Sequence, residues 1–412
     1  MEMMNNIGSN SVAVLEISSD AVRFAIGASL EKKPVLTFLV EESIRGAVKD
    51  GIIRDREKVK SAIKKVIASV DDSLKLKVDL SSVCLILPSL GLKVFQSNHQ
   101  TSVVSPANLI DSIDITNVMA LVQKENIPNG TSIVDIVPDY FELDSKKRYW
   151  NAPIGERSTN LVVCSKIHTI QASLLENYRS VVEECGLSIE RMSVNSFVDS
   201  FLLSRHQELP HDCILVDFGA HITTTNIVGS GGVYSSFASL IGSDDLTEAI
   251  ASKFHLSFED AERLKIDYGL NLRDDDYSCP LIVVKEEDGS RHEISQKDLN
   301  EVINQWFSVT YNPNLSNLIN VTCSSSTADA NRAYMAGLPI VFVGGGSELF
   351  GLENLIKPAL GSRKYYFFTP KVIGAREARF IPLLGMITAQ GETRGKVESN
   401  YKAGAALSRV RK

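Results

Sequence analysis

The stretch CILVDFGAHITTTNIVGSGGV, Cys213–Val233, opens as a buried-looking strand, breaks at Asp217-Phe218-Gly219 and resumes as a threonine-rich strand. Earlier in the chain the same pattern stands in other letters. Laid without gaps over LVDFGAHITTTNI from Leu215, the stretch VLEISSDAVRFAI from Val14 puts Glu16 on Asp217, Ser18 on Gly219, Ser19 on Ala220 and Ile26 on Ile227. Each copy is a strand ending in a carboxylate, a tight turn of small or polar residues, and a second strand, which is the pattern of a β-hairpin. Two such hairpins, each opening one of two similar halves, predict a duplicated fold whose turns face one cleft. Backbone N–H groups and hydroxyls of such turns embrace phosphate oxygens, and a carboxylate at each strand end can hold a hydrated Mg2+ between them. One such hairpin is weak evidence of anything, and even the pair alone reads equally well as two ordinary core hairpins with polar turns.

A third element tips the reading toward a nucleotide cleft. VFVGGGSELFGLENLI, Val341–Ile356, is a strand, three glycines, a serine able to cap, and a helix. Consecutive glycines let a backbone approach a ligand closely, and a helix N-terminus supplies oriented N–H donors.

The bulk properties bound the rest. A chain of 412 residues exceeds one compact core, so two or more domains are expected. With 44% hydrophobic and 23% charged residues the composition is that of a soluble globular protein. A net charge of -7 argues against a general nucleic-acid binder, which needs clustered Lys and Arg. The six cysteines have no CxxC or Cys/His metal spacing and read as reduced core thiols. The N-terminus lacks the pattern of a secretory signal, and no apolar run reaches membrane-spanning length, so a cytoplasmic chain with at most peripheral membrane contact is expected.

Periodicity predicts a strand at Ser11–Ile17 and a helix over Asp55–Val70 with Asp55 as its cap. Strands follow at SVCLILP, TSIVDIVPDYFEL and NLVVCSK, with helices over Ile115–Lys124 and Thr169–Cys185, the latter stopping at Gly186. The second half adds helices over Asp245–Phe254 and Phe258–Tyr268 and the strand PIVFV. Alternating strands and helices favour an α/β class.

The two hairpins and the Gly-rich turn, in this order, resemble the phosphate-1, phosphate-2 and adenosine motifs of the actin, Hsp70 and sugar-kinase superfamily. Within it the chain resembles the bacterial cell-division protein family FtsA, through GAVKDGIIRDREKVKSAIKKVI (Gly46–Ile67), IVDIVPDYFELDSKKRYWNAPIGERSTNLVV (Ile133–Val163) and IGSDDLTEAIASKFHLSFEDAERLKIDYG (Ile241–Gly269). The resemblance implies a duplicated actin-like α/β fold, two lobes around a nucleotide cleft, with a subdomain called 1C inserted in the first lobe and no subdomain 1B. Subdomain 1A would take 1–79 and 166–210 with part of 380–390, and 1C would take 80–165. Subdomain 2A would take 211–269 and 340–379, 2B 270–339, and 391–412 would be a linker and basic tail.

By the same resemblance ATP lies between the lobes. Ser18, Ser19 and Asp20 would form the first phosphate turn; Gly219, Ala220, His221, Thr223 and Thr224 the second; Gly242 would pass close to the phosphates. Glu262 and Lys265 would contact ribose and base, Gly344, Gly345, Gly346 and Ser347 would border the adenosine, and Glu16 and Asp217 would approach Mg2+ through water. The motifs also depart from the family. Where its first turn reads Asp-Ile-Gly-Thr-Ser-Lys, this chain has Glu16-Ile17-Ser18-Ser19-Asp20-Ala21, without the Lys and with an added acid. Where its second turn has two more glycines and a final Asp, this chain has Ala220, His221 and Thr224. Each change weakens phosphate binding or hydrolysis, so weak ATP binding or degenerate hydrolysis is expected, with no confident catalytic residue.

The resemblance further implies self-assembly into filaments on the cytoplasmic face of the membrane at the division site, capture of the FtsZ C-terminal peptide by subdomain 2B, and recruitment of later division proteins. The acidic run around Asp274–Asp276 and Glu286–Asp288 reads chiefly as a solvated loop. In the tail, Ala403, Ala406, Leu407 and Val410 form a helical stripe with Arg409 and Arg411 off it, a weak membrane helix or a disordered basic segment. The alternatives are an adaptor like the pilus-assembly protein PilM, and an active actin-fold ATPase or sugar kinase, which would need a carboxylate base beyond Asp217.

Overall fold

The computed structural model describes residues 11–70, 80–229, 232–273, 280–285, 291–324 and 334–392. Two five-stranded sheets dominate it, and they repeat one another. In the first lobe β1 (Val12–Ile17), β2 (Ala21–Leu30) and β3 (Lys33–Ser43) run antiparallel. A short hairpin, β4 (Val48–Lys49) and β5 (Ile52–Ile53), then leads to helix α1 (Arg56–Ala68), which Asp55 caps by accepting from the Lys58 amide at 2.9 Å, as its sequence predicts. Strand β6 (Ser82–Leu87) pairs parallel to β1.

A separate antiparallel sheet interrupts this lobe. It contains β7 (Lys93–Ser102), β8 (Thr131–Leu143), β9 (Arg148–Tyr149) and β10 (Asn160–Gln171), in the order β7-β10-β8-β9, with helix α2 (Ser112–Val122) against it. Its small core gathers Val118, Val122, Phe141, Leu161 and Ile167. The expected insert begins at Leu80, yet β6 belongs to the central sheet, because Val83–Leu87 are buried and continue its parallel ladder. Two helix starts also differ from expectation. Helix α2 begins at Ser112 because Asp111 caps it, with Asp114 closing a reciprocal box. Helix α3 (Ala172–Glu184) begins later than Thr169 because β-branched Ile167, Thr169 and Ile170 keep β10 extended. Strand β11 (Ser188–Val194) then joins β6 in parallel and leads into helix α4 (Asn195–Leu203).

The second lobe repeats the scheme with β12 (Cys213–Phe218), β13 (Thr223–Gly229) and β14 (Gly232–Ser239), followed by helices α5 (Ser243–Phe254) and α6 (Phe258–Tyr268). A hairpin of β15 (Pro280–Lys285) and β16 (Arg291–Ser295), helix α7 (Gln296–Trp306), a π-turn at Phe307–Tyr311 and helix α8 (Asn312–Cys323) complete its outer part. Strand β17 (Ile340–Val343), a 3-10 turn (Gly345–Glu348), helix α9 (Leu352–Leu360), strand β18 (Tyr365–Phe367) and a last helix, α10 (residues 381–392), follow. The strand orders correspond one to one: β11-β6-β1-β2-β3 and β18-β17-β12-β13-β14.

Both faces of the second sheet are buried, and the alternation of side chains decides which core each serves. Cys213, Leu215, Val341 and Val343 join the large core shared with the first lobe, while Ile214, Val216, Ile340 and Phe342 join the second core under α5, α7 and α8. Helices α4 and α10 cross closely between the lobes: a Cβ at Gly385 would lie 2.2 Å from the Val198 carbonyl oxygen. The five cysteines among the described residues are free. Among the described residues no helix is long and apolar enough to cross a membrane. The acidic segments 274–276 and 286–288 and the tail residues Ala403, Ala406, Leu407, Arg409, Val410 and Arg411 lie outside the described residues.

Candidate functional site

The two hairpins share one register. Glu16 stands opposite Arg23 in the first, and Asp217 opposite Thr224 in the second; on the other side Glu16 pairs with Ile86 and Asp217 with Val343. Equal positions in equal sheets aim both turns into one cavity of about 290 Å³ between the lobes. Glu16, Ser18, Ser19 and Asp20 line it from the first lobe, and Asp217, Gly219, Ala220, Thr224, Glu262, Lys265 and Gly344–Gly346 from the second. His221, Thr223, Gly242 and Ser347 do not line it. The Thr223 hydroxyl is buried and donates to the Ile241 carbonyl at 2.7 Å. Ser347 caps no helix: its hydroxyl donates to the Gly344 carbonyl at 2.7 Å inside the 3-10 turn, and α9 starts only after Gly351.

A residue absent from the sequence reading organises the first turn. The Arg23 guanidinium is buried, with Nη2 2.7 Å from Asp20, Nε 2.9 Å from Glu41, and Nη1 2.9 Å from the Ser18 hydroxyl. The Ser18 hydroxyl in turn donates to Asp20 at 2.6 Å. Burial alone would raise the Asp20 carboxyl, but Arg23 and the Ser18 hydroxyl outweigh it and hold the group at about 2. The charge of Asp20 is thus balanced from within its own turn.

The carboxylates at the strand ends behave differently. Burial pushes Glu16 up to about 7, against the opposing pull of Arg23, with Asp20 and Asp217 adding to the rise. Arg23 Nη1 lies 3.7 Å from Glu16 Oε2, too far for a hydrogen bond, and that buried oxygen has no hydrogen-bond partner. Asp217 is raised by burial as well, and it accepts from Asn195 Nδ2 at 2.7 Å. The other end of Asn195 accepts from the Ser89 amide at 3.0 Å, so α4 and the loop after β6 together orient Asp217. Behind them Asp199, 1% exposed, is raised well above the usual carboxylate range by burial, by Asp217 and by Glu16.

This cluster has a pH signature. A carboxyl whose folded pKa exceeds its unfolded value stabilises the fold fully below the unfolded pKa, and that contribution is lost as pH rises through the folded one. For Glu16 the window runs from 4.5 to about 7. Buried His168, pushed down to about 4, opposes it: its contribution is lost as pH falls from 6.5 through about 4. The fall is therefore cleanest above pH 6.5. The ligand-free chain is expected to melt lower at pH 7.5 than at pH 6.5, by about a degree or more, and Glu16→Gln to lessen that slope, with buried Asp199 and Asp217 keeping the rest. A melting point that is constant over this interval in the parent chain contradicts the assignment.

The second turn is fastened by backbone. The Ser243 and Asp244 amides at the start of α5 donate to the Gly219 and Ala220 carbonyls at 3.0 and 2.8 Å. Gly242 permits this approach, since a Cβ there would lie 2.1 Å from the Ala220 oxygen. His221 Nε2 lies 3.4 Å from Asp244 Oδ2. Lys265 is nearly buried and engaged, donating to the Ser243 carbonyl at 3.0 Å and the Thr247 hydroxyl at 2.7 Å, and pairing with Glu262 at 2.7 Å. Arg45 of the first lobe reaches the same corner.

Chemically, the cavity offers two turns for a polyphosphate and two carboxylates for a hydrated divalent cation. Glu16 and Asp217 both line the cavity, and the partnerless Glu16 oxygen leaves that carboxylate with an acceptor that a cation's hydration shell would satisfy. Among the described residues no group of three or more His, Cys, Asp or Glu side chains is placed to hold a metal ion directly.

Comparison with known proteins adds the following. The family model described as Cell division protein FtsA matches residues 214–384. Cell division protein FtsA of Staphylococcus epidermidis is 22% identical over 376 residues, covering 91% of this chain and 78% of that protein. The protein of the same name from Streptococcus pneumoniae serotype 2 is 24% identical over 349 residues, covering 84% and 72%. Among solved structures, a PilM-PilN type IV pilus biogenesis complex superposes with a TM-score of 0.59 at 17% identity, covering 92% of this chain and 98% of that one. MreB 5 of Spiroplasma citri bound to AMPPNP gives 0.56 at 12%, covering 94% and 98%. At these identities the structural likenesses show the fold, which is actin-like, with two sheet-rich lobes. The family model and the FtsA relatives do not favour the pilus-assembly alternative.

Proposed function

Because the chain is a divergent relative of the FtsA cell-division family with an actin-like fold, we propose that it is an actin-like division protein that binds ATP with Mg2+ between its lobes and turns it over slowly or not at all. The observation that carries this reading is the placement of Glu16 and Asp217 at equal register in two equivalent hairpins that open on one cavity. Glu16 and Asp217 would face the hydrated cation, and the turns at Ser18–Asp20 and Gly219–Ala220 would flank the phosphates. The metal would screen the phosphate charge. Turnover is poor on this reading because the first turn has Ala21 in place of a lysine, and the second has Ala220, His221 and Thr224 in place of two glycines and an acid.

In the cell the protein would self-assemble on the cytoplasmic face of the membrane, attach through its basic tail, tether FtsZ filaments by their C-terminal peptide and recruit later division proteins. The separate sheet would be subdomain 1C, and the β15–β16 and α7–α8 region subdomain 2B. One experiment covers the tethering role: flotation of FtsZ filaments with anionic liposomes, in the presence of ATP and the full chain. Filaments are expected to float with the full chain and not with a chain lacking residues 401–412. Filaments that stay at the bottom with the full chain contradict the tethering role, and equal flotation with both chains contradicts tail attachment.

A further inference from the structure

Deepening the nucleotide reading above and resting on it, we infer that Arg45 is the phosphate-capturing residue of the cleft, held by two carboxylates of the opposite lobe and taken from them by a nucleoside triphosphate. Arg45 sits in a tight turn after β3. The Ala47 amide donates to the Ile44 carbonyl at 2.8 Å, and Gly46, at φ +80°, takes the left-handed position of a type II turn. The turn hangs from the first phosphate turn, because the Ile44 amide donates to the Asp20 carbonyl at 2.8 Å.

From there the side chain crosses the cavity. Its Nη1 lies 2.5 Å from Asp244 Oδ2, its Nη2 3.3 Å from Glu262 Oε1, and its guanidinium 5.0 Å from the centre of the Phe258 ring. Asp244 adjoins the second turn, its amide donating to the Ala220 carbonyl. Arg45 therefore joins the lobes at the point between the two turns where a polyphosphate would lie.

The other cations of the cavity are less free to respond. The Arg23 and Lys265 side chains are 5% and 7% exposed and are spent on internal partners, whereas that of Arg45 is 33% exposed. Arg379 is as exposed, but it is tied to Glu41 and Glu377 and does not bridge to the second turn. Guanidinium binds phosphate through the same two-pronged geometry as carboxylate, and a triphosphate carries more charge than either acid. Exchange of Arg45 from Asp244 to phosphate supplies the cation that the first turn lacks, and it ties nucleotide binding to release of the cross-lobe pair.

The test is a double-mutant cycle on the full chain, reading ATP affinity by titration in the presence of Mg2+ for the parent, Arg45→Ala, Asp244→Asn and the double variant, with Arg45→Lys as a charge-retaining control. Arg45→Ala is expected to bind about tenfold more weakly, with the lysine variant in between. Asp244→Asn is expected to bind several-fold more tightly, and that gain to vanish in the double variant, because it acts by freeing Arg45. A gain that persists without Arg45 is mere relief of charge repulsion and overturns the proposal, as does an Arg45→Ala chain that binds like the parent. If neither the parent nor Asp244→Asn binds ATP at millimolar concentration, the nucleotide reading itself fails and takes this proposal with it.

Discussion

Arg23→Ala is expected to destabilise the chain by about 3–5 kcal/mol, the range for removing one partner from a buried ionic cluster. Arg23 is 4% exposed, and its guanidinium lies within 4 Å of Asp20, Glu41 and Glu16. Without it Glu16 and Asp20 lose their adjoining cation, Glu41 keeps only Arg379 at 3.2 Å, and Asp20 loses the partner chiefly responsible for holding it low. Lysine keeps the charge but cannot serve Asp20, Glu41 and Ser18 at once, so Arg23→Lys is expected to recover less than half of the loss. Adding Asp20→Asn to Arg23→Ala is expected to restore part of it by removing one orphaned charge. Denaturant unfolding of the four chains checks this. A loss below about 1 kcal/mol for Arg23→Ala shows that the cluster is no more than a surface network.

Gly344→Ala is expected to cost about 2–4 kcal/mol and to abolish ATP binding. Gly344 adopts φ +83°, where a Cβ is strained, and that Cβ would lie 2.3 Å from Asp217 Oδ1 and 2.6 Å from the Phe218 carbonyl oxygen. Relief requires moving the carboxylate that Asn195 holds in place. The neighbouring glycine is the control: a Cβ on Gly345 would meet nothing closer than Arg379 Cβ, at 3.7 Å, so Gly345→Ala is expected to be nearly neutral in stability. Melting points and ATP titrations of the two variants decide it, and equal behaviour contradicts the role given to Gly344.

The duplicated hairpins were legible in the sequence because position in a strand is a local property. A carboxylate two residues before a turn stays there in any fold, so the gapless overlay of Glu16 on Asp217 anticipated their common register. Helix α6 likewise follows from its own cap, the Ser257 hydroxyl accepting from the Asp260 amide. The partners of those carboxylates were not legible. Arg23 lies within VRF, which reads as an ordinary strand, and its charge is explained only once Glu41, eighteen residues on, comes alongside in β3. Asn195 lies far from Asp217 in sequence and meets it only because α4 passes between the lobes. Arg45 is joined to Asp244 across 199 positions. The Ser347 expectation failed for a local reason: glycines and a short 3-10 turn place the true helix start beyond Gly351, so the serine closes its own turn.

The central claim, an ATP site with little turnover, is tested most directly by one titration with recovery. The full chain is mixed with ATP and Mg2+, binding is measured to saturation, and the bound nucleotide is then released by denaturation and identified. Saturable one-to-one binding with mostly intact ATP recovered after an hour is the expected result. The absence of saturable binding at millimolar ATP, or recovery of the nucleotide as ADP within minutes, contradicts the account.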